Sequence, residues 1–256
     1  GAGIYVLTGE VVGAAGMAAP AAFLLAAVLV LFSAFSYAEL SARFPKSAGE
    51  AVYVQEGLGL NSLAMLVGLL IVAIGIVSTA TLVHGFVGYL QLFLDWPDTA
   101  IIISLVLTLA LVVAWGIRQS ALLASLMTVV ELFGLLLVLW VARDSLGALP
   151  LRAHELLPGA DLMLWSGVLA GSFIAFYAFV GFEDIVNVAE EVREPVRNLP
   201  RAILIAWLVS TALYLAVATV AVLSMLTGQL AASDAPLALI YQTVTGDSPL
   251  VLTVIS

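Results

Sequence analysis

Long apolar runs separated by short polar punctuation set the pattern of this chain. The first run, residues 1–16, is glycine-rich and too short to cross a bilayer, which takes about 20 apolar residues in a helix. Pro20 opens a second run over 20–40, closed by the polar loop SARFPKSAGE. A short amphipathic stretch, AVYVQEGLG, leads into a third run over 61–94. That run is longer than a bilayer requires and has no polar break of loop length, which predicts tilt rather than two crossings. The turn LDWPD precedes a fourth run over 99–115, and the tight connection GIRQS precedes a fifth over 121–141. A polar connection over 142–160 leads to a sixth run beginning at 162, and a seventh covers 202–226. The stretch 227–249, with its prolines and aspartates, reads as a loop before the start of an eighth. The pattern predicts six whole spans flanked by two partial ones. Both ends fall inside apolar motifs, GAGIYVLTG and SPLVLTVIS, so the expectation is an internal piece of a longer protein, truncated at both ends.

Composition agrees with the pattern. Hydrophobic residues are 63% and charged residues 10% of the 256, where a soluble domain carries about 25% charged residues; the mean hydropathy is +1.19. Runs this long and this free of charge predict helices rather than the ten-residue alternating strands of an outer-membrane barrel. The fold class is therefore an all-α polytopic membrane protein. The formal net charge of -9 matters less than where the basic residues fall. Arg43, Lys46, Arg118, Arg193, Arg197 and Arg201 lie in the connections 2/3, 4/5 and 6/7, against Arg143 and Arg152 in 5/6. The positive-inside rule then predicts a cytoplasmic N-terminus and a multi-pass location in the cytoplasmic membrane. With no cysteine there are no disulfides or thiolate metal sites, and His84 and His154 are too few and too far apart for a metal cluster. No signal peptide precedes the first run, and none is required where the first spanning helix directs insertion. His84 reads as an interior histidine rather than a ligand.

Residues 181–201, GFEDIVNVAEEVREPVRNLPR, concentrate polarity directly behind the sixth apolar run. A helix entering lipid at residue 162 reaches about mid-bilayer near residue 180, at about 1.5 Å rise per residue across about 30 Å of hydrocarbon. Glu183 and Asp184 thus fall where a carboxylate needs a partner, a proton or a water-filled cavity, which marks a candidate functional site. Gly1-Ala2-Gly3 and the stretch 179–184 form matching interruptions five helices apart, a pattern that points to a transporter binding site. The alternative for the glycines is close helix packing, and Gly9-x-x-x-Gly13 and Gly167-x-x-x-Gly171 read as packing surfaces of that kind. Asp184 reads as the N-cap of an inner half-helix.

GAGIYVLTG, SYAELSARFPKSAGEAVYV and FYAFVGFEDIVNVAEEVREPVRNLPRAI resemble, in order and across essentially the whole chain, the amino acid–polyamine–organocation transporter superfamily, in particular its bacterial amino-acid permeases. The resemblance implies two inverted five-helix repeats with helices 1 and 6 discontinuous. Residues 1–141 would form the first repeat and 160–256 part of the second, within one transporter domain over 1–256. It implies secondary active transport of an amino acid or related amine, with polyamine transport or amino acid/amine exchange as the alternative of the same fold. Amides around Gly1, Ala2, Gly3 and Ile4 would hold the substrate carboxylate, at the positive end of a helix dipole. The carbonyls of Tyr177, Ala178 and Val180, before Gly181, would take its ammonium. Tyr177 and Phe182 would cover the site as aromatic gates, or serve as packing. Glu183 would contact substrate or accept N–H groups of the unwound helix 1. Glu131 falls where proton-coupled members carry a lysine. Desolvation favours the protonated form of a lone membrane carboxylate, which suits a proton carrier; the alternative is a hydrogen-bonded structural Glu. Glu190 and Glu191, with Arg43 and Lys46, would form an inner gate by opposite-charge pairing, or a solvated helix end.

The implied partners are the amino acid or amine and the lipid bilayer, with no nucleic acid; no motif speaks to oligomeric state. No cofactor is implied beyond a coupling H+ or Na+. A membrane enzyme would require a catalytic serine–histidine pair, a metal-binding histidine pair or a pair of membrane aspartates, and no such set is present in the sequence. A retinal-type photoreceptor would require a lysine in a helix, whereas Lys46 falls in a loop. A non-transporting membrane scaffold remains the alternative from another class, though it has no need of matched helix interruptions.

Overall fold

The computed structural model of the chain describes residues 3–91 and 95–247, and the regular elements among them are all helical. Helix α1 (Gly3–Ala15) turns through a tight 3-10 segment, Gly16–Ala18, into α2 (Ala19–Arg43). Gly16 makes that turn at φ 57, in the left-handed region open to glycine. Pro20 lies in the first turn of α2, where its missing N–H would have had no partner. The amphipathic stretch is α3 (Gly49–Leu58), stopped by Gly59 at φ 68. Then come α4 (Asn61–Leu90), α5 (Asp98–Trp115) and α6 (Ile117–Val141). The third apolar run is thus one helix of 30 residues over its described part. After short helical turns that include α7 (Leu149–Arg152) come α8 (Leu162–Phe179), a 3-10 segment Glu183–Glu191, and α9 (Pro195–Ser224). The short helices α10 (Thr227–Ala231) and α11 (Pro236–Thr245) follow. The expected eighth span falls beyond residue 247, outside the described residues.

Among the described residues, six helical stretches are long and apolar enough to cross a membrane, the first being α1 and α2 taken together. Their surfaces follow membrane rules. Leu66, Leu69, Ile76, Leu107, Leu111 and Leu126 point outward from α4, α5 and α6, whereas the buried seams are built of small residues. Ala15, Ala18, Ala19, Ala22, Ala26 and Ala27 are all buried where α1 and α2 meet α8 and α9. The packing reading of the glycine pairs holds. A Cβ on Gly167 would stand 2.6 Å from the Ala14 carbonyl oxygen, and one on Gly171 3.1 Å from the Ala15 Cβ. A Cβ on Gly9 would meet the Leu230 oxygen at 2.7 Å, and one on Gly13 the Ala231 Cβ at 3.2 Å. Trp207 of α9 donates its indole N–H to the Ala27 carbonyl of α2 at 2.9 Å.

Three boundaries differ from the hydropathy reading. The connection GIRQS shrinks to Gly116 alone, at φ 142, and α6 already runs through Arg118. Helix α9 starts at Pro195, well before residue 202, because Leu199 and Ile203 fall four apart and both bury while Arg197 and Arg201 stay exposed. The stretch read as a loop over 227–249 contains α10 and α11, whose Leu230, Leu237 and Ile240 are fully buried in the core. In each case polar residues suggested a loop where one face of a helix carries them.

Replacing Gly167 with alanine should lower the thermal midpoint of the full-length protein in detergent, by the about 1–3 kcal/mol that overpacking costs. Gly75→Ala, with nothing within 4 Å of the added methyl, should leave the midpoint unchanged or raise it slightly through helix propensity. Equal shifts in the two variants would contradict the packing account.

Candidate functional site

The candidate site is the interruption between α8 and the 3-10 segment that follows it. Asp161 starts α8 by accepting the Met163 N–H on its carboxylate at 2.8 Å, and the helix runs intact to Phe179. Val180 then swings to an extended conformation, φ -58 and ψ 139, and Gly181 takes φ 116, which a residue with a Cβ rarely adopts. The chain resumes as a 3-10 helix rather than an α-helical half, with Val188 outside helical geometry. Extended Val192 and Glu194 at φ 49 lead into α9.

At the break, the Glu183 carboxylate accepts the Gly181 N–H at 2.9 Å, so it satisfies the unwound segment of its own helix. Val180 donates its N–H to the Tyr177 carbonyl at 3.2 Å, and Tyr214 of α9 donates its hydroxyl to the Ala178 carbonyl at 3.0 Å. Of the three carbonyls expected to receive an ammonium, Tyr177 and Ala178 therefore already accept protein donors. Asp184 does not cap the segment: no side chain caps it, and the Asp184 carboxylate accepts from Asn187 Nδ2 at 3.5 Å. The N-cap reading fails because the 3-10 segment starts at Glu183, with Phe182 in the N-cap position two residues before Asp184.

The first described turn of α1 lies against this break. A Cβ on Gly3 would stand 3.0 Å from the Ala178 Cα, so the backbones approach as only glycine permits. Ile4 and Tyr5 are fully buried beside it, and the Ile4 carbonyl accepts the Thr8 hydroxyl at 2.5 Å. Gly1 and Ala2, the other half of the expected carboxylate cradle, lie outside the described residues. Tyr89 of α4 donates its hydroxyl to the Tyr5 carbonyl at 2.7 Å, and Tyr5 donates its own to the backbone carbonyl of Glu131 on α6 at 2.6 Å. Three tyrosines thus tie the two candidate segments to α4, α6 and α9. Sequence reading passed over Tyr89 and Tyr214; the available signal is that a tyrosine inside an apolar run must place its hydroxyl on a partner.

The other expected residues are dispersed around this centre. Glu131 is half-buried on α6. The Phe182 ring meets Tyr37 of α2 edge-on at 5.6 Å, and the buried Tyr177 hydroxyl has no partner among the described residues. Glu190 and Glu191 are exposed, and the expected ion pairs with Arg43 and Lys46 are not formed among the described residues. Arg43 pairs with Glu39 one turn back, and Lys46 with Glu56 at 3.2 Å. What joins these two segments is Ser47, whose hydroxyl accepts the Glu190 N–H at 3.1 Å and whose own N–H reaches the Glu190 carboxylate at 3.5 Å. His84 places Nδ1 2.8 Å from the Ala80 carbonyl, a local contact within α4. At the other end of the bundle a cavity of about 280 Å³ opens beside α1, lined among others by Glu10, His84, Gln91, Asp98 and Asp234.

An all-helical multi-pass bundle with one long apolar helix interrupted beside a glycine of its neighbour defines a polytopic membrane protein with a broken helix. The amino acid permease family model matches residues 1–256, and the chain belongs to that family. It is 27% identical over 264 residues to a branched-chain amino acid permease of Bacillus subtilis, covering 95% of this chain and 55% of the relative. It is 36% identical over 240 residues to an uncharacterized transporter of Mycobacterium tuberculosis, covering 93% and 52%. It is 30% identical over 241 residues to a vacuolar cationic amino acid transporter of Arabidopsis thaliana, covering 87% and 40%. The chain thus spans about half the length of the curated relatives it matches.

Gly181→Ala should destabilise the full-length protein by about 1–3 kcal/mol through backbone strain alone, because the added methyl meets nothing within 4 Å. A thermal midpoint equal to that of the parent would show that the break relaxes freely to another geometry.

Proposed function

We propose that the protein of which this chain forms a part carries out secondary active transport of an amino acid or related amine by alternating access, with substrate held at the unwound segments of helices 1 and 6. The observation that supports this reading is the approach of Gly3 to Ala178, which lays the first described turn of α1 against the interruption that ends α8. A helix N-terminus offers N–H groups and the positive dipole end to a carboxylate; a helix C-terminus offers carbonyls and the negative end to an ammonium. A zwitterionic α-amino acid matches that pair of ends.

On this reading the amides of Gly3 and Ile4, with those of Gly1 and Ala2, hold the carboxylate. The Val180 carbonyl is the principal ammonium acceptor, since the Tyr177 and Ala178 carbonyls already accept protein donors. Gly181 gives the backbone its bend and Glu183 holds it. Tyr177 and Phe182 act as aromatic gates. The inner closure joins the 2/3 connection to Glu190 through Ser47, with Arg43, Lys46 and Glu191 supplying charge to that surface. Glu131, whose backbone carbonyl receives Tyr5 from helix 1, is the coupling residue, with a proton or sodium ion as the driving ion. The inverted repeats over 1–141 and 160–256 and a cytoplasmic N-terminus in the cytoplasmic membrane complete the reading. The relatives' substrates, branched-chain and cationic amino acids, name the two classes to try first.

The test is uptake by the full-length protein in proteoliposomes of labelled leucine, lysine, arginine and putrescine, with and without proton and sodium gradients. Saturable uptake or exchange of at least one of them is expected, and competition should fall sharply for an analogue whose carboxylate is replaced by an amide. Absence of both uptake and exchange across the panel would overturn the proposal. Glu131→Gln should flatten the pH dependence of uptake while leaving substrate binding in place. An unchanged pH profile would remove Glu131 from coupling.

A further inference from the structure

The short amphipathic helix α3 is usually legible only as a connector between two spans, yet it is docked on the segment that follows the helix break. Three contacts make the dock. Gly49, at φ 38, comes so close to the 3-10 segment that a Cβ there would stand 2.6 Å from Val186 Cγ2. Ser47 and Glu190 exchange two hydrogen bonds. The Tyr37 hydroxyl of α2 donates to the Glu50 carboxylate of α3 at 2.7 Å, and the Tyr37 ring stands edge-on against Phe182, the first residue after the glycine of the break. Around these contacts a separate apolar cluster forms from Ala34, Tyr53, Val186 and Ile203, with Phe182 and Ile185 packed on it. It is distinct from the larger core that carries α1 and α8.

A tyrosine ring on a helix surface can rotate about its first side-chain torsion, so an edge-on contact alone does not fix it. The ring also meets Tyr53 of α3 edge-on at 6.5 Å, and the Tyr37 hydroxyl bond to Glu50 supplies the directional point of attachment. We propose that Glu50 is a positioning residue of the gate: by accepting the Tyr37 hydroxyl it holds that ring against Phe182, so that α3 and the segment after the break move as one body. This rests on the reading of Phe182 as a gate. Charge-assisted hydrogen bonds are the stronger ones, which makes Glu50 the contact whose loss most loosens the dock. Phe182 then parts from Tyr37 in a larger fraction of molecules, and the apolar cluster beneath it admits water.

The reporter is Val186→Cys, at a fully buried position in a stretch whose sequence contains no other cysteine. It is placed in the purified full-length protein, freed of any cysteine outside this stretch, in nanodiscs and labelled with a membrane-impermeant maleimide. Labelling is expected to be slow in the parent and faster by about tenfold with Glu50→Ala, the shift that one charged hydrogen bond of typical strength sets. Tyr37→Phe, which keeps the ring and removes the donor, should accelerate labelling to a similar degree. Glu50→Gln, whose amide oxygen still accepts, should stay close to the parent. Parent-like rates in both Glu50→Ala and Tyr37→Phe overturn the proposal, as does a Glu50→Gln rate equal to that of Glu50→Ala. If Glu50→Ala does not fold, Tyr37→Phe decides alone, since loss of a single hydroxyl leaves the apolar cluster whole. Labelling needs no substrate, so the two readings fail separately. Absent uptake with accelerated labelling removes the transport reading, and normal uptake with unchanged labelling removes only the role of Glu50.

Discussion

In hydrocarbon an unsatisfied backbone N–H or C=O costs several kcal/mol, and the rest of this structure depends on how that constraint is met where α8 stops. A long apolar helix that ends at Phe179, with a 3-10 segment taking up the chain at Glu183, releases backbone groups between the two. The chain answers several of them locally and leaves others, the Val180 carbonyl among them, without a protein donor among the described residues. Glu183 takes the Gly181 N–H, Tyr214 supplies a hydroxyl to Ala178, and Val180 folds its N–H back onto Tyr177. The same device recurs beside α1, where Tyr89 serves the Tyr5 carbonyl and Tyr5 serves Glu131. Tyrosine suits this work because its ring packs like an apolar side chain while its hydroxyl reaches a partner.

Close packing is what brings the two candidate segments together. Gly3, Gly167 and Gly171 let α8 lie directly on α1 and α2, nearer than side chains would permit. Dispersion and close backbone contact are the main forces between helices in lipid, since burial against lipid tails gives no hydrophobic gain. On the side bearing Arg43 and Lys46, a second cluster around Val186 holds the 3-10 segment to α3, α2 and α9. The interruption therefore lies where a smaller cluster meets the main core along α2 and α9, with Phe182 and Trp207 packed on both.

Much of this was legible in the sequence, for identifiable reasons. The spans followed from apolar length, and the helix 6 break followed from a glycine and two carboxylates placed at mid-membrane depth. The glycine pairs announced their packing role through four-residue spacing. What escaped was decided by contacts far apart in the chain. Nothing local distinguishes a loop from α10 and α11 until Leu230 and Leu237 are seen to bury against α1 and its neighbours. Opposite charges suggested that Arg43 and Lys46 would pair with Glu190 and Glu191, but closer glutamates, Glu39 and Glu56, take them, and a serine makes the link instead. Asp184 resembled an N-cap only on the assumption that an α-helix resumes after the break, whereas a 3-10 segment does.

The central claim is that the broken-helix segment is where substrate binds, and amide hydrogen exchange reads it directly. In the full-length protein, peptides covering residues 179–184 and 1–5 are followed with and without a saturating transported amino acid. The account predicts that exchange slows in both peptides on binding, because bound substrate occupies or shields their backbone, while the outer faces of α4 and α5 remain as they were. Unchanged exchange in both peptides, with protection arising elsewhere in the bundle, would contradict it.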